Sequence, residues 1–470
     1  MAAHSNPGRP NLLLIAIDSL RRDRMSLYGY QRLTTPHIAR FAEQATMFRH
    51  PFSPSVPTTP AYSSMLTGRD CFGTGVVGLR HKGDVAAPML PTILEQAGYS
   101  TCCVGFPGNP ASRGFQTYLQ YDGWGDEPGS MPKAHALNEV TIPYLRTVAG
   151  SDDPFFLFLR HMDPHSPYLP PAPFDRLFYE GDELDPSNHS LDGLYAFAPF
   201  ADYFSSWFPG KVTDAAFVNS LYDGAVAYMD AAIGRLFTVL DELGLAEDTV
   251  VVLTADHGET LDEHECWYDH HGLYDQNLVV PLIIRAPGQI PAGARIDPWV
   301  QTKDMTPTML ELLGVDPGLE FDGRSLVPLA RGEPFVPESE LYLTEATWMR
   351  KHGWRTPEWK LIHALEPDFH FKPEMELYNL ARDPGELDNL AEREPDVVAL
   401  LEERMAAHVE RREAQTGRRN PMFTQLGWHG TGDAPFASSE EAYEKLHIGS
   451  RKQAQRLQAH LAEENKEAER

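Results

Sequence analysis

Two uninterrupted apolar runs, Leu12 to Ile17 and Val250 to Leu253, lead into aspartates: Asp18 after the first, Asp256 with His257 after the second. Runs this short and this free of polar residues suit strands buried on both faces of a parallel sheet. Sheets of that kind bind ligands outside the carboxyl ends of their strands, which is where Asp18, Asp256 and His257 fall. One aspartate after a strand is commonly a helix N-cap or a turn former. Two such strand ends together point instead to a divalent cation, because a buried carboxylate is costly unless it is paired or bound to metal.

The rest of the chain repeats the rhythm. PTILEQAGY precedes STCCVGF, PYLRTVAG precedes PFFLFLRHMD, and AVAYMDAAIGRLFTVLDELGL precedes DTVVVLTADHG. Helical segments alternating with apolar runs predict an α/β fold, a mostly parallel sheet flanked by helices. Residues 170–217, rich in Pro, Phe, Tyr and Asp and without a clear period, read as a long excursion over one face, of the sort that forms lids or pocket walls. From Leu341 onward LYLTEA, WKLIHAL and MELYNL predict a small antiparallel sheet. A chain of 470 residues exceeds the usual single-domain size. The expected organisation is a large catalytic domain over 10–335, a small α+β unit over 336–420 and a charged, helix-prone tail over 421–470 that suits packing on a second subunit. A homo-oligomer is therefore expected.

Forty basic against 67 acidic residues give a formal net charge of −27, which argues against nucleic acid or an anionic membrane as the main partner. No run of about 18 apolar residues occurs, and MAAHSNPGRP carries no apolar signal core, so a cytoplasmic location is the expectation. Cys71, Cys102, Cys103 and Cys266 form no CxxC pair and are expected to be reduced, structural thiols.

Several segments, in this order, carry a family resemblance: IDSLRRDRMSLYGY with TTPHIARFA, SPSVPTTPAYSSMLTGR, HMDPHSPYLPP, TADHGETLDEH, HGLYDQNLVVPLIIRAPG, DMTPTMLELLGV with DGRSL, and LYNLARDPGELDNLA. Together they resemble the sulfatase branch of the alkaline phosphatase superfamily. The resemblance implies a large central mixed, mostly parallel sheet, a smaller C-terminal domain on a four-stranded antiparallel sheet, and attack on a sulfate or phosphate ester by a nucleophile held on metal. In sulfatases the nucleophile motif begins with Cys or Ser, which is oxidised to formylglycine, and ends with Arg. Here those five positions are Thr58, Thr59, Pro60, Ala61 and Tyr62. Threonine is not a substrate for that oxidation. It resembles instead the superfamily's phosphodiesterases and phospho-group transferases, in which a threonine hydroxyl on the metal attacks phosphorus. The expected activity is thus hydrolysis of a small anionic phosphorus ester, a phosphodiester, phosphomonoester or phosphonate monoester. Its rivals are sulfate-ester hydrolysis without formylglycine and a non-catalytic anion-binding role. With Tyr62 in the arginine's place, another cation has to stabilise the transferred group.

The resemblance assigns Asp18, Thr58, Asp256 and His257 to one metal ion, with Mn, Zn, Mg and Ca all suited to these donors. Thr58 also reads as a helix N-cap, since TTP followed by AYSSML looks like a helix start. The two readings are compatible, because a helix N-terminus favours an anion. His165 matches the position that serves the leaving group, and His271, with His270 as alternative, the position that binds the transferred group. Asp163 is read either as orienting an imidazole or as joining His165 and one of His270 and His271 at a second metal. Lys82 reads equally as a substrate contact and as an exposed turn lysine, Asn109 as bordering the pocket, and Arg22 as lying near the metal or serving in packing.

Overall fold

The computed structural model describes residues 9–424 except 79–84, 106–112, 124–130, 348, 366–367 and 369. Lys82, Asn109 and the tail from residue 425 thus lie outside the described residues. An eight-stranded sheet dominates. In chain order its strands are β1 (Asn11–Ile17), β2 (Thr46–Phe52), β4 (Ser100–Gly105), β5 (Thr117–Gln120), β6 (Phe155–His161), β7 (Thr249–Ala255), β8 (Leu282–Arg285) and β9 (Arg295–Gln301), the short β3 (Ser55–Val56) belonging elsewhere. Their spatial order is β5-β4-β6-β1-β7-β8-β2-β9, and β8 alone runs against its neighbours. The sheet is therefore mixed and mostly parallel, as the apolar runs predict.

Both faces are covered, which explains why its central strands carry no polar alternation. Leu13, Ile15 and Ile17 of β1 point into one core together with Val218, Leu221, Val226 and Met229 of the long helix Ala215–Glu242. Leu12, Leu14 and Ala16 point into the other, against Met65 and Leu66 of helix Thr58–Thr67. The excursion over 170–217 is not loose. Its short helices Asp192–Ala196 and Ala198–Ser205 help bring Leu194, Phe204 and Trp207 into the first core, where Trp207 meets Tyr168 edge-on at 5.3 Å.

A second sheet has the order β13-β12-β11-β10-β3, built from β10 (Leu341–Ala346), β11 (Arg350–Arg355), β12 (Trp359–Ala364) and β13 (Met375–Asn379). The four C-terminal strands are antiparallel, and β3 adds in parallel to β10 through Thr344 opposite Ser55 and Glu345 opposite Val56. The segment leading to Thr58 is thereby stitched to the C-terminal sheet. All four cysteines are free and buried, and among the described residues no helix is long and apolar enough to cross a membrane.

Candidate active site

Strand register brings the first group together. β1 and β7 pair in parallel with Ile17 opposite Ala255, so the next residues, Asp18 and Asp256, emerge side by side. β6 flanks β1 on the other side with His161 opposite Ile17, and its last residues deliver the HMDPH segment to the same edge. After β1 the chain turns through Ser19, a non-glycine residue in the left-handed region at φ 62°. Tyr222 of the long helix holds this turn, its hydroxyl donating to the Ser19 carbonyl at 2.8 Å and accepting from the Arg21 N–H at 2.9 Å. Such a conformation persists only where surrounding contacts enforce it. Here it aims the Ser19 N–H at Asp256 Oδ1, 3.3 Å away.

Asp256 answers the choice between turn former and cation ligand with one oxygen for each. Oδ1 accepts from the backbone of His257 at 2.9 Å and of Ser19, while the buried Oδ2 has no hydrogen-bond partner. The His257 Nδ1–H donates to the Gly258 carbonyl at 2.8 Å, which turns Nε2 inward. That Nε2 lies 3.5 Å from Asp256 Oδ2, 3.9 Å from Asp18 Oδ1 and 3.1 Å from Thr58 Oγ1. The ligand atoms of Asp18, Asp256 and His257 all lie within 4.8 Å of one another, and all three residues are buried. An orphaned carboxylate oxygen, a fixed imidazole tautomer and a second carboxylate are a donor set that fits a divalent cation. Burial, and after it the neighbouring Asp18, pushes the Asp256 carboxyl up to about 7. Burial acts the same way on Asp18, but His165, His257, Arg160 and His270 outweigh it and hold that carboxyl below its ordinary range.

Thr58 is the first residue of helix Thr58–Thr67, not its N-cap; Pro57 holds that place. With no capping to do, the hydroxyl faces His257, and the positive end of the helix dipole lies at the same point. Tyr62, one turn on, lies fully buried beneath Arg160, whose guanidinium carbon is 4.9 Å from the ring centroid. Arg160 Nη2 in turn lies 3.8 Å from Asp18 Oδ2. This arginine escaped the sequence reading, although a lone charge inside FFLFLRH was a signal: a buried cation in a strand needs an anionic partner at the strand's end.

The histidines divide. The His270 ring lies 4.7 Å from that of His257 and 5.6 Å from that of His165, over the cation group. His271 lies beside it, with Nδ1 2.6 Å from His370 Nε2, Nε2 3.9 Å from Asp269 Oδ2, and its carbonyl held by Asn277 Nδ2 at 2.7 Å. His165 is half-buried, its Nδ1–H donating to the Ser166 carbonyl at 2.7 Å. Asp163 does not join the histidines. Its carboxylate accepts from the Ala134 N–H at 2.8 Å and lies 3.7 Å from the Lys133 ammonium, which itself clamps the His165 carbonyl at 2.6 Å. His161 is fully buried and pushed down to about 3 by burial, so it stays neutral. Arg22 serves in packing, over the Tyr28 ring and bonded to the Arg49 carbonyl.

Gly258 shows why the DHG turn tolerates nothing larger. A Cβ there would meet the Gln276 carbonyl oxygen at 1.8 Å, because the Gly258 N–H donates to the Asn277 carbonyl at 2.8 Å. This close approach ties the turn to the loop carrying His270 and His271. Gly272, at φ 87°, then donates its N–H to Glu345 on β10, so the second sheet braces the site from behind.

A carboxylate-rich, buried edge of a mostly parallel sheet with a hydroxyl at a helix N-terminus is the arrangement of an alkaline phosphatase-like hydrolase, and its donors suit a divalent cation. Residues 10–315 match the model of the sulfatase family, and residues 262–414 match that of the N-sulphoglucosamine sulphohydrolase C-terminal region. The chain belongs to the sulfatase family and is a hydrolase. It is 24% identical to an N-acetylglucosamine-6-O-sulfatase of Bacteroides thetaiotaomicron, over 84% of this chain and 86% of that protein. It is 26% identical to a multifunctional alkaline phosphatase superfamily protein of Trinickia caryophylli, over 71% of this chain and 80% of that protein. Among solved structures, the phosphonate monoester hydrolase of Agrobacterium radiobacter shares the fold with a TM-score of 0.71 at 23% identity, over 87% of this chain and 96% of that one.

Proposed function

We propose that the protein hydrolyses small anionic esters by nucleophilic attack from Thr58, with phosphorus esters as its substrates. The observation that carries this reading is the Thr58 hydroxyl 3.1 Å from His257 Nε2, at a helix N-terminus and beside two buried carboxylates. Asp18, Asp256, His257 and the Thr58 oxygen would hold one divalent cation. A cation there lowers the pKa of a hydroxyl and neutralises non-ester oxygens. Thr58 Oγ1, its proton given up to solvent, forms the bond to phosphorus as the ester oxygen leaves in line, and His165 in its imidazolium form hands that oxygen a proton from Nε2. Water then cleaves the bond between Thr58 and phosphorus and restores the hydroxyl. His270, standing over the cation group, is better placed than His271 to face the transferred group.

Sulfate-ester hydrolysis is the second reading, favoured by the family match and by the sulfatases among the relatives. It would require an unmodified threonine to attack sulfur. Initial rates on nitrophenyl phosphate, bis-nitrophenyl phosphate, a nitrophenyl phosphonate and nitrophenyl sulfate, for wild type and Thr58→Ala at measured metal content, separate the two. Turnover of phosphorus esters that is lost in Thr58→Ala supports the first reading. Preferred turnover of sulfate esters overturns it in favour of the second.

A further inference from the structure

Glu259, two residues beyond His257, is fully buried, and neither of its carboxylate oxygens has a hydrogen-bond partner. Two donors stand near it, the Ser19 hydroxyl and the Arg21 guanidinium, and each has other partners. The Ser19 hydroxyl donates to Asp18 at 3.3 Å, and Arg21 is taken by Asp23 at 2.7 Å and Glu263 at 2.9 Å, touching Glu259 only through its backbone carbonyl. Among the described residues the basic ring that approaches the Glu259 carboxylate is that of His270, Nδ1 lying 3.8 Å from Oε1. That ring also meets Asp269, whose Oδ1 lies 3.0 Å from Nδ1. One ligand atom from each of Glu259, Asp269 and His270 fits within 4.8 Å of the others, the spread that a single cation's coordination shell spans.

We propose that Glu259, Asp269 and His270 bind a second divalent cation beside the Asp18, Asp256, His257 and Thr58 group. The inference rests on reading that first group as a cation site, and it differs from a second site built on Asp163, which is engaged by Ala134 and Lys133. Two carboxylates and one imidazole suit manganese or zinc and leave positions open for water or a substrate oxygen. With the His257 and His270 rings 4.7 Å apart, the two donor groups are neighbours.

The test is the manganese stoichiometry of chelator-stripped full-length protein, by equilibrium dialysis with elemental analysis and by electron paramagnetic resonance. Wild type is expected to bind two Mn2+ per chain with a spin-coupled signal. Glu259→Gln and Asp269→Asn should each bind one and show the signal of an isolated ion. One Mn2+ in wild type that Asp256→Asn abolishes would leave the first site standing and overturn the second, as would two Mn2+ retained in both variants. Two in wild type, reduced to one by Glu259→Gln but unchanged in Asp256→Asn, would uphold the second site and overturn the first. No Mn2+ or Zn2+ in wild type would overturn both. Asp269 is partly exposed, so its variant keeps the test decisive if Glu259→Gln fails to fold.

Discussion

The two halves of the candidate site are built in opposite ways. Asp18, Asp256 and His257 follow directly from two paired strands, and their separation is set by backbone register. His270 and Asp269 instead lie at the end of a loop in which His264, Glu265, Trp267 and Tyr268 all adopt positive φ without being glycine. Tertiary contacts hold that shape: His264 stacks on Tyr274 at 3.7 Å, the Tyr268 N–H donates to the Leu261 carbonyl at 2.8 Å, and the Thr260 N–H to the Asp269 carbonyl at 3.0 Å. The first half is a rigid consequence of the sheet. The second is strained and depends on its neighbours, the pattern expected where a site must be shaped rather than inherited.

The largest expected effect strikes the rigid half. Asp256→Asn should abolish cation binding at the first site and lower kcat/KM on the order of 10³-fold, measured by dialysis and initial rates, with an unchanged circular dichroism spectrum. In the strained half, His270→Ala and His271→Ala should separate. The first should cost about 10²-fold in kcat with little loss of stability. The second should act chiefly on stability, because His271 is locked to His370 and Asn277. Equal kinetic losses would erase the distinction between the two histidines.

The seam between the halves is Gly258, and Gly258→Ala should destabilise the fold by about 3 kcal/mol, read from denaturant unfolding, since its Cβ would run into the Gln276 carbonyl. The smallest effect is on pH dependence. The Asp256 carboxyl titrates near 7, raised by burial above its ordinary value. Because the charged form is the one disfavoured in the metal-free fold, this group lowers metal-free stability as pH rises from about 4 to about 7. A cation needs that charged form. Affinity at the first site should therefore fall by up to about tenfold per unit below pH 7 and level off above it, measurable by calorimetric titration.

The same contrast explains what the sequence could and could not reveal. Asp18, Asp256 and His257 were legible because both-face burial empties β1 and β7 of charged residues, so the first charged residue after each run stands out. The four C-terminal antiparallel strands were mostly legible too, apart from β11, whose RKHGWR lacks apolar alternation. The joining of β3 to β10 was not, because a two-residue strand has no period to read. The sequence could not rank His270 against His271, since adjacent residues carry no sign of which ring lies beside that of His257. Glu259 was invisible for another reason: one glutamate after DHG looks like any turn carboxylate until its burial and lack of partners are seen.

The most direct test of the central claim is peptide mass mapping of enzyme quenched in acid during turnover of a nitrophenyl phosphorus ester. The account predicts a phosphoryl adduct on Thr58, absent from Thr58→Ala, whose turnover is also lost. Sustained turnover with an unmodified Thr58, or a fully metallated Thr58→Ala that works at the wild-type rate, would contradict it.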